Sequence, residues 1–222
     1  MPANAHAPLM VFDLDGTLVE SVPDIAAAVN RLLDKRKLAH LSVPAVTAMV
    51  GDGLHPLIER IFAAHGTTPD DAAAEEYLAD YEANVAVDTA LFPGMRQTLT
   101  RLAETGWHLA VCTNKPEKAA RLLLAALGVD HLFAAIGGGD SFAARKPDPL
   151  HLRATVAAAG GDPARAVMVG DHSNDVNAAI GCAIPAIFAG WGYGRPGMEA
   201  GASAICPSPA ELPVFAGSLL QA

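Results

Sequence analysis

The chain has 222 residues, of which 51% are hydrophobic and 18% are charged, and 15 basic against 24 acidic side chains give a formal net charge of −9. This much apolar surface can offset the entropy lost on folding, so intrinsic disorder is excluded. The negative charge argues against partners that are nucleic acids or anionic membrane surfaces, because both repel an acidic protein. The length suits one domain of about 150–200 residues that carries an insertion, or two small domains.

Three cysteines, Cys112, Cys182 and Cys206, form no C-x-x-C pair. This usage is typical of buried thiols in a reducing compartment, so we predict a cytoplasmic location and neither a disulfide framework nor a zinc site.

The longest uncharged run, Val176 to Gly194, is interrupted by glycines and a proline. A membrane span needs about 20 apolar residues, so we expect a helix end, a strand and a loop there. We expect Met1 to Pro8 to be a frayed tail.

Four short apolar runs predict buried strands, because each contains β-branched or aromatic residues and is followed by polar or glycine-rich residues. These runs are Leu9–Phe12, His108–Cys112, Ala166–Val169 and Ile184–Phe188. Amphipathic stretches such as Met95–Leu102 lie between them. The alternation of strands and helices predicts an α/β fold with a doubly wound parallel sheet that is covered by helices on both faces.

The segment between the first two predicted strands, roughly Glu20 to Ala90, contains no strand pattern. Ser21 to Asp24 has the capping-box pattern that opens a helix, and apolar stripes predict two or three more helices further along. We therefore predict an inserted α-helical cap domain over residues 20–90 and an α/β core domain formed by residues 1–19 and 91–222. The stripes are Ile25, Val29, Leu32 and Leu33, then Leu54, Ile58, Ile61 and Phe62, then the Ala- and Glu-rich run Ala72–Val85.

Two carboxylates, Asp13 and Asp15, follow the first predicted strand in the sequence D-L-D-G-T. Side chains at i and i+2 of an extended chain point to the same side, so both carboxylates should reach the edge of the sheet. There, one can attack as a nucleophile while the other transfers protons. An Asp-Gly pair is also common in surface turns. This motif alone therefore does not distinguish a catalytic pair of carboxylates from an ordinary turn.

Three later segments place further polar groups near predicted strand ends. Pro116 suits the first position of a helix, so Thr113 and the amides after it can face an anion at a helix N-terminus. The proline after Lys146 restricts that lysine to an extended conformation. Asp171 and Asp175 can share one edge of a hard-cation site, because Mg²⁺ prefers carboxylate and water oxygens. Each segment alone is also typical of an ordinary N-cap, a solvated lysine or a helix start.

Together and in this order, the four segments resemble the motifs of the haloacid dehalogenase superfamily: D-x-D-G-T, a strand-end Thr, a Lys and G-D-x-x-x-D. The helical insertion after the first motif resembles the α-helical cap of that family. The resemblance implies that Asp13 is a nucleophile that forms an aspartyl-phosphate. It also implies that Asp15 acts first as general acid and then as base, and that Thr113 and Lys146 hold the phosphoryl oxygens.

The same resemblance implies Mg²⁺ as the cofactor. Its ligands would be the side chains of Asp13 and Asp171 and the backbone carbonyl of Asp15, with Asp175 supporting the site. The negative surface then poses no difficulty, because the cation and the lysine within the pocket attract the phosphate. Further residues implied to contact substrate are Gly16, Thr17 and Asn114.

Within that superfamily, five segments resemble the bacterial phosphoglycolate phosphatases more closely than other branches. This implies hydrolysis of a small phosphorylated metabolite, 2-phosphoglycolate, to glycolate and phosphate. The acid at Asp15 argues against a dehalogenase, since that branch keeps no acid there. Gly51 and Gly53 would let cap amides approach a small carboxylate, although an ordinary helix–helix turn explains these glycines equally well. The segments are Val11–Asp24, Val50–Leu54, Phe92–Gly94, Val111–Pro116 and Gly137–Asp140.

Two other functions share part of this pattern. A phosphatase or mutase for small sugar phosphates, of the β-phosphoglucomutase type, would share Asp13 and Lys146 and differ in its cap. A receiver-type signalling domain also combines Asp, Thr, Lys and Mg²⁺, but its acidic pair precedes the phosphorylated strand and it lacks a helical insertion.

We expect His172 to be structural or solvent-facing and the loop Gly190–Arg195 to serve packing, outside the catalytic set. The sequence leaves the oligomeric state open.

Overall fold

The computed structural model describes residues 7–220, and most of the expected N-terminal tail lies outside that range. Its strands in chain order are Leu9–Phe12 (β1), Val19–Glu20 (β2), Ala90–Leu91 (β3), His108–Cys112 (β4), Ala135–Gly137 (β5), Ala166–Gly170 (β6), Ala186–Ala189 (β7) and Ala204–Cys206 (β8). Its α-helices are Val22–Lys35 (α1), Val43–Thr47 (α2), Leu54–Ala63 (α3), Ala73–Ala83 (α4), Met95–Glu104 (α5), Glu117–Ala126 (α6), Pro149–Ala158 (α7), Ser173–Cys182 (α8) and Leu212–Leu219 (α9).

A parallel sheet with strand order β5-β4-β1-β6-β7-β8 forms the centre of the molecule. The four predicted strands are confirmed, with β7 starting two residues later than expected. The sequence missed β5 and β8, which have three residues each and contain a single β-branched residue, so their apolar signal is short. The predicted doubly wound α/β fold is confirmed.

The two faces of the sheet are covered by different helices, and β1 shows this alternation most clearly. Met10 and Phe12 belong to one buried layer, together with residues of α5, α6 and α9. Leu9 and Val11 belong to the opposite layer, together with residues of α7 and α8. All four side chains are fully buried. Burial on both faces explains why β1 is a continuous apolar run rather than an alternating one.

Helices α1 to α4 have a hydrophobic core of their own, to which the α6 residue Ala119 also belongs. The chain enters and leaves this helical unit through β2 and β3, which pair antiparallel, with Val19 opposite Leu91. The two connections therefore run side by side at the positions that the sequence suggested. The division into a cap domain (20–90) and a core domain (1–19 and 91–222) stays a prediction.

The residues that suggested a capping box at the start of α1 have a different role. In the described chain Ser21 makes no side-chain capping bond; its hydroxyl donates to Asp15 Oδ1 at 2.6 Å. The buried Asp24 carboxylate accepts hydrogen bonds of 2.9–3.1 Å from the backbone N–H groups of 87–89, and one from the Thr89 hydroxyl. The prediction of a capping box is wrong, because tertiary partners take both side chains. Asp24 instead fastens α1 to the connection that precedes β3.

Within residues 7–220 the helices are all too short or too polar to cross a membrane. The uncharged run from Val176 forms the end of α8, β7 and the loop after it, as expected. Cys112 and Cys206 are buried, Cys182 is half-buried, and these described thiols form no disulfide.

Candidate active site

The carboxyl ends of β1, β4 and β6 meet at one edge of the sheet, and the polar motifs follow directly. Asp13 follows β1, and its N–H donates to the Val169 carbonyl at 2.8 Å. Thr113 follows β4, and its N–H donates to the Gly137 carbonyl at 2.9 Å. Asp171 follows β6. Because β4 and β6 flank β1 on opposite sides, this edge is the topological switch point where open α/β sheets bind ligands.

Lys146 connects two carboxylates at this edge. Its Nζ lies 2.9 Å from Asp13 Oδ1 and 2.5 Å from Asp175 Oδ1, and its side chain is only 1% exposed. Burial alone would lower the pKa of Lys146, but the charges of Asp13 and Asp175 raise it above its ordinary value. The ammonium group therefore stays protonated and partly neutralises the nucleophile expected at Asp13.

The backbone of Lys146 is fixed by two side chains to which the sequence analysis gave no such role. Its N–H donates to His151 Nδ1 at 3.1 Å, and its carbonyl accepts from the Asn114 side-chain amide at 2.9 Å. Burial and the nearby Lys146 charge lower the pKa of His151 to about 4, so its ring is neutral and can accept this bond. His151 lies on α7, one turn after the lysine, and no sequence motif marks it.

Asp13, Asp171 and Asp175 form a buried acidic cluster in which each offers an oxygen within 4.8 Å of the others. Asp171 is oriented by the Thr17 hydroxyl, which donates to Oδ1 at 2.9 Å, and by the Tyr193 N–H, which donates to Oδ2 at 2.8 Å. Asp175 differs in its charge balance, because its Oδ1 is paired with the Lys146 ammonium group, whereas both donors to Asp171 are uncharged. Lys146 also contacts Asp13, so Asp171 is the member of the cluster without a cationic partner among the described residues.

The charges of this site leave room for a divalent cation. Burial, together with the charges of the two other carboxylates, raises the pKa of Asp171 to about 8. Burial also raises the pKa of Asp175, although the Lys146 charge opposes this effect. When the four aspartates at positions 13, 15, 171 and 175 are all ionised, the two lysines at 115 and 146 leave two negative charges uncompensated among these residues, and the raised pKa values reflect that excess. Carboxylate oxygens with uncompensated charge fit a hard divalent metal ion.

Asp15 stands apart from the acidic cluster. Lys115 Nζ lies 3.1 Å from its Oδ1 and 2.9 Å from its Oδ2, and the Ser21 hydroxyl donates to Oδ1. The Lys115 side chain is 7% exposed, and its Nζ lies 4.3 Å from the centroid of the Tyr81 ring. Lys115 belongs to the segment Val111–Pro116, but the sequence alone predicts no role for it, because an isolated lysine is usually solvated.

The turn after β4 differs in one respect from the expectation. Pro116 is the N-cap of α6 and precedes the helix, so it does not occupy the first helical position. The Thr113 hydroxyl accepts a hydrogen bond of 3.2 Å from the Lys115 N–H. The turn is thereby closed on itself, with Thr113 nearly fully buried beside Asp13 and Asp15 in the lining of one cavity.

Gly16, Thr17 and Asn114, which were expected to contact substrate, all have structural partners. Gly16 has φ +85°, and a Cβ there would collide with the Asp171 carboxylate and the Tyr193 ring. The Thr17 hydroxyl orients Asp171, as described above. The Asn114 amide bridges the carbonyls of Lys146 and Gly51, and its Oδ1 is buried without a hydrogen-bond partner in the described chain. Their contacts with substrate stay predictions.

The Gly51–Gly53 loop of the helical unit packs directly on the two core loops. The Gly51 carbonyl accepts from the side-chain amides of Asn114 and Asn174, at 3.0 and 3.4 Å. Asp52 Oδ1 accepts from Asn174 at 2.6 Å. Gly53 has φ +92°, and a Cβ there would stand 2.9 Å from the Asn114 carbonyl oxygen. These glycines therefore permit close approach of the loop to this edge of the sheet, and their contact with a substrate carboxylate stays a prediction.

The loop Gly190–Arg195 was expected only to pack, but it also forms hydrogen bonds with residues of the site. The Trp191 indole N–H donates to the Thr17 carbonyl at 3.0 Å. The Tyr193 hydroxyl accepts from the Ser21 N–H at 2.8 Å, while its own N–H holds Asp171. His172 is half-buried and caps α8 by accepting from the Asn174 N–H, a structural position of the expected kind.

Comparison with known proteins gives a consistent result. A family model described as haloacid dehalogenase-like hydrolase matches residues 8–182. A protein of Agrobacterium fabrum named phosphoglycolate phosphatase is 41% identical over 197 residues, which are 87% of this chain and 84% of that protein. A protein of Rhodospirillum rubrum with the same name is 42% identical over 205 residues, covering 88% of this chain and 85% of the relative.

Two solved structures share the fold over nearly the whole chain. The crystal structure of a predicted phosphoglycolate phosphatase from Haemophilus somnus has a TM-score of 0.87 and 29% identity, covering 94% of this chain and 97% of that one. The structure of CbbY from Rhodobacter sphaeroides in complex with phosphate has a TM-score of 0.81 and 25% identity, covering 93% and 96%.

Proposed function

The chain belongs to the haloacid dehalogenase-like hydrolases, and on this basis we propose that it hydrolyses 2-phosphoglycolate to glycolate and phosphate through an aspartyl-phosphate. The observation that carries the proposal is the contact of Asp13 with the buried Lys146 at the end of β1, beside a second acid, Asp15. Relatives at about two-fifths identity over most of the chain bear the name of this activity, which supports the choice of substrate.

In the first half-reaction a carboxylate oxygen of Asp13 attacks phosphorus. The bond from phosphorus to the ester oxygen breaks, and Asp15 gives a proton to the leaving glycolate oxygen. Lys146 and the Thr113 hydroxyl hold the non-bridging oxygens, where negative charge must be balanced as the phosphoryl group moves. Lys146 also reduces the electrostatic repulsion between the incoming phosphate and Asp13.

In the second half-reaction water attacks the phosphorus of the aspartyl-phosphate. Asp15 takes a proton from this water, the bond from phosphorus to the Asp13 oxygen breaks, and inorganic phosphate leaves. Asp13 is then a carboxylate again, and Asp15 holds the proton for the next cycle. Asp15 is suited to face the leaving group because Ser21 and Lys115 hold its carboxylate away from the acidic cluster.

We propose Mg²⁺ as the cation that fits the excess negative charge. Asp13, Asp171 and the backbone carbonyl of Asp15 would hold it, while Asp175 supports the site from the side of Lys146. When bound, it would supply positive charge to the phosphoryl oxygens. The all-oxygen donor set favours hard ions such as Mg²⁺ over softer divalent ions, which prefer nitrogen or sulfur ligands.

We also propose that residues 20–90 act as a cap that closes over the core formed by residues 1–19 and 91–222. The cavity between them is lined on the cap side by Ile25, Leu54 and Leu57, with Tyr77 beside them. Such a wall offers few partners for sugar hydroxyls, whose burial without hydrogen bonds is costly. A small substrate fits this wall better than a sugar phosphate, and closure excludes water from the nucleophile.

The proposed substrate is tested by measuring phosphate release from 2-phosphoglycolate, glucose 1-phosphate, glucose 6-phosphate and phosphonoacetaldehyde, each with and without Mg²⁺. We expect the highest kcat/KM for 2-phosphoglycolate and no turnover after chelation. Interconversion of the two glucose phosphates without phosphate release would instead identify a mutase. A single stoichiometric phosphorylation without turnover would identify a receiver-type domain.

The affinity for Mg²⁺ should fall as the pH is lowered. The carboxyl group of Asp171, whose pKa is raised to about 8 in the metal-free protein, must lose its proton before it binds a cation. If one proton is displaced, the association constant should rise by about tenfold per pH unit between pH 6 and pH 7 and level off above pH 8. Calorimetry in two buffers of different ionisation enthalpy measures both the affinity and the released proton.

The variant Asp171→Asn is the control for this measurement. It should bind Mg²⁺ more weakly and lose most of the pH dependence, because the titrating ligand is gone. An affinity of the unchanged protein that is constant from pH 6 to pH 8 would contradict the role assigned to Asp171.

A further inference from the structure

We infer that Lys115 selects substrates that carry a carboxylate next to the phosphate, with the Tyr81 hydroxyl as a second donor to that group. The inference rests on the proposed function and names the residues that set its substrate class. Lys115 would touch the part of the substrate that does not react, so it is a specificity-determining residue. Its role is distinct from that of Lys146, which lies against Asp13 and Asp175.

The position of the Lys115 ammonium group is the first observation. It lies within 3.1 Å of both Asp15 oxygens. Lys115, in the turn after β4, therefore reaches the part of the site where the ester bond would break. The side chain is nearly buried, and a buried cation has to be matched by negative charge. Asp15 provides that charge and accepts two of the three ammonium N–H bonds, which leaves the third, on the side of the Tyr81 ring, for an acceptor on the substrate.

The cavity around Lys115 is the second observation. Asp13, Asp15 and Thr113 line it at the core, and Gly51 and Gly53 line it at the cap. Among the described residues that line this cavity, Lys115 is the only one with a positive charge. An anionic group that enters beside the phosphate therefore meets one cation, which offsets the repulsion from Asp15, and most of the remaining lining on the cap side is apolar.

Tyr81 gives an independent indication of a ligand. Its side chain is 1% exposed and lines the same cavity, yet its hydroxyl has no hydrogen-bond partner in residues 7–220. A buried hydroxyl without a partner is costly, and an acceptor on a substrate in this cavity would remove that cost. A substrate carboxylate can accept from this hydroxyl and from the Lys115 ammonium group at once.

The dimensions of the substrate agree with this position. Only the ester oxygen and one methylene carbon separate phosphorus from the carboxyl carbon in 2-phosphoglycolate. If phosphorus is attacked by Asp13 and the ester oxygen faces Asp15, the carboxylate must lie close to Asp15 on the cap side. Lys115 is the cation found there.

Arg195 is the competing candidate, because it lines a second cavity that also reaches Asp13, Asp15 and Asp171. Its side chain is exposed to solvent, however. An exposed cation gives less discrimination than a buried one, since water and salt screen it. This difference favours Lys115 and makes Arg195 a variant that the test must include.

The test compares two substrates that differ only in the second group: 2-phosphoglycolate, with a carboxylate, and 2-hydroxyethyl phosphate, with an alcohol. In Lys115→Met the ratio of their kcat/KM values should fall by roughly 100-fold, mainly through a higher KM for 2-phosphoglycolate. Lys115→Arg should restore part of the ratio, because it keeps the charge. Lys118→Met, on an exposed side chain three residues further along, should leave the ratio unchanged.

Each other outcome has a defined meaning. An equal loss on both substrates in Lys115→Met would show that Lys115 acts only through Asp15 and would overturn the inference, as would collapse of the ratio in Arg195→Met. A wild-type protein without any preference for 2-phosphoglycolate would overturn the proposed substrate first. If Lys115→Met fails to fold, Tyr81→Phe decides: KM for 2-phosphoglycolate should rise about fivefold with no change for the alcohol, and an unchanged KM would overturn the inference.

Discussion

Replacement of Asp13 by asparagine is expected to lower kcat by roughly 10⁴-fold or more, since loss of a covalent nucleophile removes the main reaction path. The amide has nearly the same volume as the carboxylate, and Lys146 keeps its second partner, Asp175. The fold should therefore survive. The measurement is single-turnover phosphate release with 2-phosphoglycolate in saturating Mg²⁺, accompanied by circular dichroism and thermal unfolding.

Two controls make this result decisive. Asp71→Asn changes an exposed aspartate of the helical unit and should retain full activity. Rapid acid quench should trap an acid-stable phosphorylated species for the wild-type protein and none for Asp13→Asn. A folded, metal-loaded Asp13→Asn protein that still turns over substrate would show that another residue is the nucleophile.

The core strands and the motif aspartates could be predicted because both depend on short stretches of sequence. A buried parallel strand is a continuous apolar run, and the residue that follows it lies at the sheet edge whatever the rest of the chain does. Asp13, Thr113 and Asp171 therefore all follow the carboxyl ends of neighbouring strands, β1, β4 and β6. β5 and β8 were missed because three residues with one β-branched side chain do not form a pattern.

The supporting contacts could not be predicted, because their partners are far apart in sequence. Lys115 and Asp15 are separated by 100 positions, and Trp191 and Thr17 by 174. The local pattern at Ser21 and Asp24 indicated a helix cap, yet tertiary partners took both side chains. A capping bond competes with any stronger acceptor or donor that the fold brings near, and the sequence does not reveal which will win.

The two lysines of the site also differ in whether a short sequence motif marks them. Lys146 was placed by its resemblance to a family motif, whereas Lys115 had no pattern of its own. In the structure both are buried and both contact aspartates. One of them lies beside the expected nucleophile and the other beside the expected general acid, so the two aspartates have different surroundings although they are two residues apart. Different surroundings are what allow two carboxylates to take different roles in one reaction.

Replacement of Lys146 by methionine should affect both activity and stability. The ammonium group lies between Asp13 and Asp175, and its loss leaves a buried acidic cluster without its cation. Removal of one partner of a buried ion pair costs about 3–5 kcal/mol, so the free energy of unfolding without metal should fall by about that amount. We expect kcat to drop by roughly 10³-fold, because the phosphoryl oxygens lose a fixed positive charge. Urea unfolding and steady-state kinetics measure the two effects.

The destabilisation of Lys146→Met should be largest at high pH and should shrink as the pH falls. Burial and mutual repulsion have already raised the pKa of Asp171 to about 8 and have raised that of Asp175 as well. Without Lys146 these carboxyl groups bind protons more tightly still in the folded protein. Protonation of the folded variant then stabilises it at low pH, and this contribution is lost as the pH rises through the variant's own, higher pKa values. Lys118→Met, which removes an exposed charge that pairs with Glu82, should change the unfolding free energy by less than about 1 kcal/mol. Stability of Lys146→Met equal to that of the wild type from pH 6 to pH 9 would show that the lysine does not balance the acidic cluster.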